Sequence, residues 1–150
     1  MRVIILDLDY SLVMNPKECP GIEDIKLEKY DRRITNQFSD HDKVYLYSNR
    51  SNRFEYQIIT QLRQQLYWVP TLSFFNNDSM ELAQCIDRDI VKDSGSSFST
   101  EMKKYNTKQF IMSMNLDLSV YIAIEADKKT REMYNELGIK AITKEEFLGI

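Results

Sequence analysis

Apolar residues cluster along the chain at two different spacings, and the spacing changes repeatedly. Val3-Ile4-Ile5-Leu6 opens a run that continues through Leu8, Leu12 and Val13. A continuous run rich in β-branched residues fits a strand buried on both faces, as in a parallel sheet covered by helices. Residues 43–48 read as a second strand, 71–75 as a third, 118–125 as a fourth and 139–142 as a short fifth. Between them, Ile22, Ile25, Leu27, Tyr30, Ile34 and Phe38 recur at helical spacing and predict one amphipathic helix within residues 23–38. Phe54, Ile58, Ile59, Leu62 and Leu66 predict a helix over residues 53–66, opened by the capping groups of Asn49, Ser51 and Asn52. Further helical patterns cover residues 80–91, a stretch holding Tyr105, Phe110, Ile111 and Met114, and residues 128–137. Gly138 ends that last helix, and Thr143 caps a final one. The small, polar residues 93–100 read as a loop. The order β-α-β-α-β-α-α-β-α-β-α predicts an α/β fold, a three-layer Rossmann-like parallel sheet of about five strands with helices on both faces.

Composition narrows the setting. With 150 residues, 29% charged and 43% hydrophobic, the chain suits one globular domain over residues 1–150. A formal charge of -3 gives nucleic acid no global attraction, so an end of such a polymer would have to be held by local arginines and lysines. Cys19 and Cys85 are far apart and accompanied by one histidine, His41, a pattern that fits neither zinc nor a disulfide framework and predicts free thiols. No stretch is long enough for a signal core or a membrane span, so a cytoplasmic protein with no membrane association is expected.

Polar residues gather where this architecture places its ligands, at the carboxyl ends of strands. Asp7 and Asp9 close the first strand, where alternation would set both carboxylates on one side. Asp-x-Asp also occurs in ordinary solvated loops, so the remaining groups decide its meaning. Ser48 and Asn49 follow the second strand, lysines precede the fourth, and Glu125 and Asp127 follow it. Phosphoryl transfer uses these types: a carboxylate nucleophile, a second acid that protonates the leaving oxygen and then activates water, and a hydroxyl, an ammonium and a hard cation around the phosphoryl oxygens. Asp7, Asp9, Ser48 and Lys108 fill the catalytic roles, with Lys104 as the alternative lysine and Mg2+ as the cation. Arg50 and Arg53 carry planar forks suited to phosphate, although single arginines after a strand are also ordinary helix-surface charges. Tyr10 lies within the motif and could stack on a base, whereas Tyr45 and Tyr47 fit the core.

The ordered set Asp7-x-Asp9-x-Ser11, strand and Ser48, lysine, strand and acids resembles the haloacid dehalogenase superfamily of phosphohydrolases along nearly the whole chain. Lys29-Tyr30-Asp31, Ser48-Asn49-Arg50, Ile124-Glu125-Ala126-Asp127 and Arg131-Glu132-Met133-Tyr134 resemble, more closely, the polynucleotide 3′-phosphatase domains of phage polynucleotide kinases. The resemblance implies that Asp7 is nucleophile and magnesium ligand, and that Asp9 is the general acid and base whose backbone carbonyl meets the metal. It further implies that Ser48 binds phosphate and Ser11 supports the nucleophile loop. Asn49, Arg50, Arg53 and Tyr10 would face the substrate. The family usually places two adjacent acids after the fourth strand; here Ala126 separates Glu125 from Asp127, so either Glu125 or Asp127 completes the metal site. Asp127 is equally a normal helix start.

Superfamily members often set substrate choice with an inserted cap, and the two insertion points here, residues 14–42 and 76–100, are too short for a full one. An open site suits a bulky substrate such as a nucleic-acid terminus or a phosphoprotein, and a nucleotide is accommodated if residues 76–100 fold over the site as a partial lid. The expected activity is a magnesium-dependent phosphomonoesterase working through an aspartyl phosphate on Asp7. The alternative is a catalytically degenerate phosphate- or nucleotide-binding domain, with a receiver-like phosphoacceptor as its variant. Receivers place the acceptor Asp after a middle strand, which this chain does not.

Overall fold

The computed structural model describes residues 1–76, 98–114 and 117–150. Its centre is a five-stranded sheet in the order β3-β2-β1-β4-β5, every pair parallel. The strands are β1 (Val3–Asp7), β2 (Lys43–Ser51), β3 (Leu72–Asn76), β4 (Tyr121–Ile124) and β5 (Lys140–Ile142). The helices are α1 (Ile22–Lys26), α2 (Arg32–Thr35), α3 (Glu55–Leu66), α4 (Phe98–Met114), α5 (Lys128–Glu136) and α6 (Lys144–Leu148). The predicted α/β fold class is therefore the observed one. The helix expected over residues 80–91 lies outside the described residues, as does most of the loop expected over 93–100, whose last residues open α4. Among the described residues no helix is long and apolar enough to cross a membrane.

Alternation along β1 divides the interior. Ile4, Leu6 and Leu8 pack with Ile25 of α1, Ile34 of α2 and Ile58 and Leu62 of α3, while Phe147 and Leu148 of α6 lie against the same cluster. Val3 and Ile5 face the opposite layer with Tyr45, Tyr47, Tyr121, Ala123, and Met133 and Tyr134 of α5. Phe110 seats α4 on that second face, with its ring centroid 5.0 Å from both Tyr45 and Phe74. Sequence parity thus assigns Asp7 to the α4 side, while Ser48 and Arg50 share the parity of Val44 and Leu46 on the α1 to α3 side.

Several boundaries differ from the pattern-based expectation. The single helix over 23–38 is two short ones, because the chain leaves the helix after Leu27: Tyr30 bridges Val13, the Asp31 N–H donates to the Leu12 carbonyl at 2.8 Å, and Glu28 is buried. β1 stops at Asp7, and residues 8–13 fold back through Tyr10 at φ 60, so strand alternation does not reach Asp9. β2 runs on to Ser51, with its register against β3 shifting between Tyr47 and Ser51. Residues 118–120 form a 3₁₀ turn before β4. Cys19 is disulfide-bonded rather than a free thiol. Cys85 lies outside the described residues, and cysteine usage carries no argument for a reducing compartment.

Asp31 ties three elements together. Its carboxylate caps α2 through the Arg33 N–H, pairs with the Arg33 guanidinium at 2.8 Å, and accepts from Lys144 of α6 at 2.9 Å. Lys144 also reaches the Ser11 carbonyl at 3.3 Å, which anchors the loop after β1. The Arg33 hydrogen bond and Lys144 hold Asp31 well below the usual carboxylate range despite opposing burial. A lowered folded value means that this contribution is present above the unfolded carboxylate value of about 4 and is lost as pH falls below it. Asp31→Asn should therefore cost about 1–2 kcal/mol near neutrality, and progressively less in acid. Urea unfolding followed by circular dichroism across that range checks the convergence of the two proteins.

Candidate active site

The strand order reverses at β1: chain order runs outward through β2 and β3 on one side and resumes at β4 on the other. Ligands of open α/β sheets bind at that switch point, beyond the carboxyl ends of the strands. Asp7 ends β1, and Glu125 follows Ile124, the β4 residue in register with Leu6. Both side chains have the parity of the face covered by α4, from which Lys103 reaches between them.

Lys103 Nζ lies 2.8 Å from Asp7 Oδ1 and 2.5 Å from Glu125 Oε1, and all three side chains are at most 10% exposed. Asp7 Oδ2 receives longer contacts of 3.4 Å from Ser11 Oγ and the Ala126 N–H. Glu125 Oε2 accepts from the Asp127 N–H at 3.1 Å, and Arg131 Nη1 holds the same turn through the Glu125 and Ala126 carbonyls. Two carboxylates share one ammonium in a buried place. Burial, then repulsion from Glu125, raises Asp7 well above the usual carboxylate range, although Lys103 opposes this. Burial alone would lower Lys103, but Asp7 and Glu125 more than offset it and its ammonium is held well above the ordinary lysine value. The trio is also short of positive charge, two carboxylates facing one ammonium.

That deficit bears on the expected metal. Magnesium needs one or two protein carboxylates and takes its remaining oxygens from water and substrate phosphate. Asp7 and Glu125 fit that requirement, the more so because the contacts to Asp7 Oδ2 are long. The full set Asp7, Asp9, Glu125 and Asp127 does not assemble: among the described residues no three acidic, histidine or cysteine side chains converge as a metal cluster. Asp127 Oδ2 caps α5, accepting from Thr130 N at 2.9 Å and Thr130 Oγ1 at 2.8 Å. Its carboxylate serves the helix start, leaving Glu125 as the acid beside Asp7.

The Asp9 carboxylate is gripped by Arg50. The Arg50 Nε donates to Asp9 Oδ1 at 3.1 Å, Nη2 donates to the same oxygen, and Nη1 and Nη2 donate to the Glu28 oxygens at 2.8 and 2.6 Å. Arg50 and Glu28 are buried, whereas the Asp9 side chain is 41% exposed. Arg50, expected to face substrate, is thus engaged internally, on the face of β2 that Val44 and Leu46 share. Ser48 is buried, its Oγ accepting from the Arg50 N–H at 3.1 Å. Asn49 accepts from the Asn76 side chain at 3.2 Å. Arg53 is exposed with its guanidinium 4.7 Å from the Phe54 ring, and Tyr10 is exposed beside the Asp7 to Asp9 turn.

The expected lysine is corrected. Lys108 is exposed and Lys104 half-buried, while Lys103 meets the carboxylates. Five positions along a helix turn a side chain by about 140°, so Lys108 and Lys103 cannot serve one site. The sequence carried the signal: counting back from Phe110 by three and then four residues gives Thr107 and Lys103, both buried. Tyr105, taken as part of the inward stripe, is 61% exposed. Glu28 was missed because it falls in a break that periodicity read as helix.

Among solved structures, the chain is similar to a crystal structure of D,D-heptose 1,7-bisphosphate phosphatase from B. bronchiseptica, complexed with magnesium and phosphate. The TM-score is 0.58 at 14% identity, covering 94% of this chain and 79% of that one. At that identity the likeness is one of fold. No family model matches the chain and no curated protein matches it.

Lys103→Met would leave two buried carboxylates without their cation, and should cost about 3–5 kcal/mol, whereas Lys108→Met should fall within about 0.5 kcal/mol of wild type. Urea unfolding distinguishes them, and millimolar magnesium should recover part of the Lys103→Met loss.

Proposed function

We propose that this chain is a magnesium-dependent phosphomonoesterase of the haloacid dehalogenase superfamily, forming an aspartyl phosphate on Asp7. The observation that carries the proposal is the buried Asp7–Lys103–Glu125 trio at the switch point of the sheet. A structural ion pair gains little from such burial, whereas a phosphoryl-transfer site requires a nucleophilic carboxylate beside fixed positive charge. The magnesium-and-phosphate complex of a fold neighbour supports the same reading.

In the proposed reaction, Asp7 attacks phosphorus, the bond to the leaving oxygen breaks, and Asp9 passes that oxygen its proton. Water then attacks the phosphoaspartate, Asp9 takes its proton, and the bond to Asp7 breaks to release phosphate. Lys103 orients the attacking carboxylate and offsets charge on the phosphoryl oxygens, with the Ala126 N–H beside it and Ser48 at the adjacent strand end. Magnesium, when bound through Asp7 and Glu125, would neutralise the phosphoryl charge further.

The substrate we favour is a polynucleotide 3′-phosphate, and otherwise a nucleotide. Residues 14–42 fold into the domain, burying Ile25, Tyr30 and Ile34 instead of standing over the strand ends. That leaves Tyr10 exposed at the site turn and Arg53 exposed after β2, an aromatic face and a cation suited to a base and a phosphate.

Magnesium-dependent phosphate release from an aryl phosphate and from a 3′-phosphorylated oligonucleotide tests the proposal. Wild type should act on both, Asp7→Asn on neither, and Arg53→Ala should raise KM for the oligonucleotide more than for the aryl ester. Folded wild type that releases no phosphate with any divalent metal would overturn the hydrolase in favour of a phosphate-binding domain.

A further inference from the structure

Asp9 is the most exposed member of a chain of charges that runs inward from it. Its Oδ1 accepts from Nε and Nη2 of Arg50, while Oδ2 has only a 3.5 Å contact to Nε among the described residues. The far edge of the same guanidinium is held by both oxygens of Glu28, whose side chain is 2% exposed. Glu28 sits in the break between α1 and α2, and Gln65 of α3 donates to its carbonyl at 3.1 Å, so the inner anchor is fixed to the core layer. A guanidinium has two bidentate edges, and here each is taken by a different carboxylate.

We infer that Arg50 and Glu28 are positioning residues for proton transfer: Arg50 grips Asp9 by Oδ1 and presents Oδ2 to the leaving oxygen and then to water, and Glu28 fixes the angle of the grip. The inference rests on the phosphatase reading above. Burying Arg50 and Glu28 costs solvation that an apolar pair of similar volume would not, so stability alone does not account for the arrangement. What it supplies is a fixed direction for a side chain beyond the end of β1, where neither strand nor helix holds it. Lysine, with one ammonium and no edges, cannot hold both carboxylates in that geometry.

Kinetics on two ester types separate this role from general support of the fold. Para-nitrophenolate leaves without receiving a proton, whereas an alkoxide does not, and hydrolysis of the phosphoaspartate needs a base in either case. Arg50→Lys should therefore release a burst of about one equivalent of nitrophenolate and then turn over about 100-fold more slowly than wild type, and cleave an alkyl phosphate about 100-fold more slowly with no burst. KM should fall in step with kcat for the nitrophenyl ester, because the phosphoenzyme accumulates, and should change less than about threefold for the alkyl phosphate. Asp9→Asn should show the same pattern more strongly, and Glu28→Gln more weakly. Should Arg50→Lys fail to fold, Glu28→Gln carries the same test, since the amide keeps the volume and loses one acceptor. Parallel loss of burst and turnover, wild-type rates in both variants, or a rise in KM with kcat intact would each overturn the inference, the last by showing that Arg50 grips the phosphate. An active wild type beside unaffected variants defeats this inference alone; an inactive wild type defeats the phosphatase reading with it.

Discussion

The arrangement depends on one ammonium ion. Lys103 stands between two carboxylates that the sheet brings together from opposite sides of its switch point, and it is the cation that offsets their burial. Asp7 is fixed by β1 and Glu125 by the turn after β4, so their approach is a consequence of strand pairing. The cation arrives from a third element, α4, whose seat is set by Phe110 among the sheet aromatics and by Thr100 meeting Thr130 of α5 at 2.7 Å. Packing well away from the charges thus determines whether the charges are matched.

Strand parity then separates the polar groups by role. Residues sharing the parity of Val3 and Ile5 face α4 and build the Asp7 trio. Those sharing the parity of Leu46 face the opposite layer and build the Arg50 group. Asp9 belongs to neither strand and is reached from the second group across the turn at Tyr10. The two carboxylates of the Asp-x-Asp motif, neighbours in sequence, are consequently held by cations from different layers of the molecule.

Much of this was legible in the sequence, for identifiable reasons. Unbroken β-branched runs mark strands buried on both faces, and the alternation with helices fixes a parallel sheet with its chemistry at the carboxyl ends. Asp7, Glu125 and the capping roles of Thr143 and Asp127 followed from local rules that the tertiary fold does not override. Lys103 was hidden because a buried lysine contradicts the assumption that lysines mark the solvent face; only the stripe defined by Phe110 would have revealed it. Arg50 and Glu28 were hidden for a related reason, since each looks like surface until its partner, far away in sequence, is known. The break at residues 27–31 was illegible because Leu27 and Tyr30 keep a helical spacing while the backbone bonds of Met14 and Asp31 hold the segment against the loop after β1.

Lys144 joins that loop to the carboxylate of Asp31, which gives the site an unusual order of assembly. Asp7 precedes its cation by nearly a hundred positions, its partner acid by more, and the brace on its loop stands at position 144. On the ribosome β1 therefore waits without its charged partners until those residues have emerged, exposing an apolar ribbon meanwhile. A growing chain of this design brings its buried charges together in a single late event, when β4 and α4 close on β1.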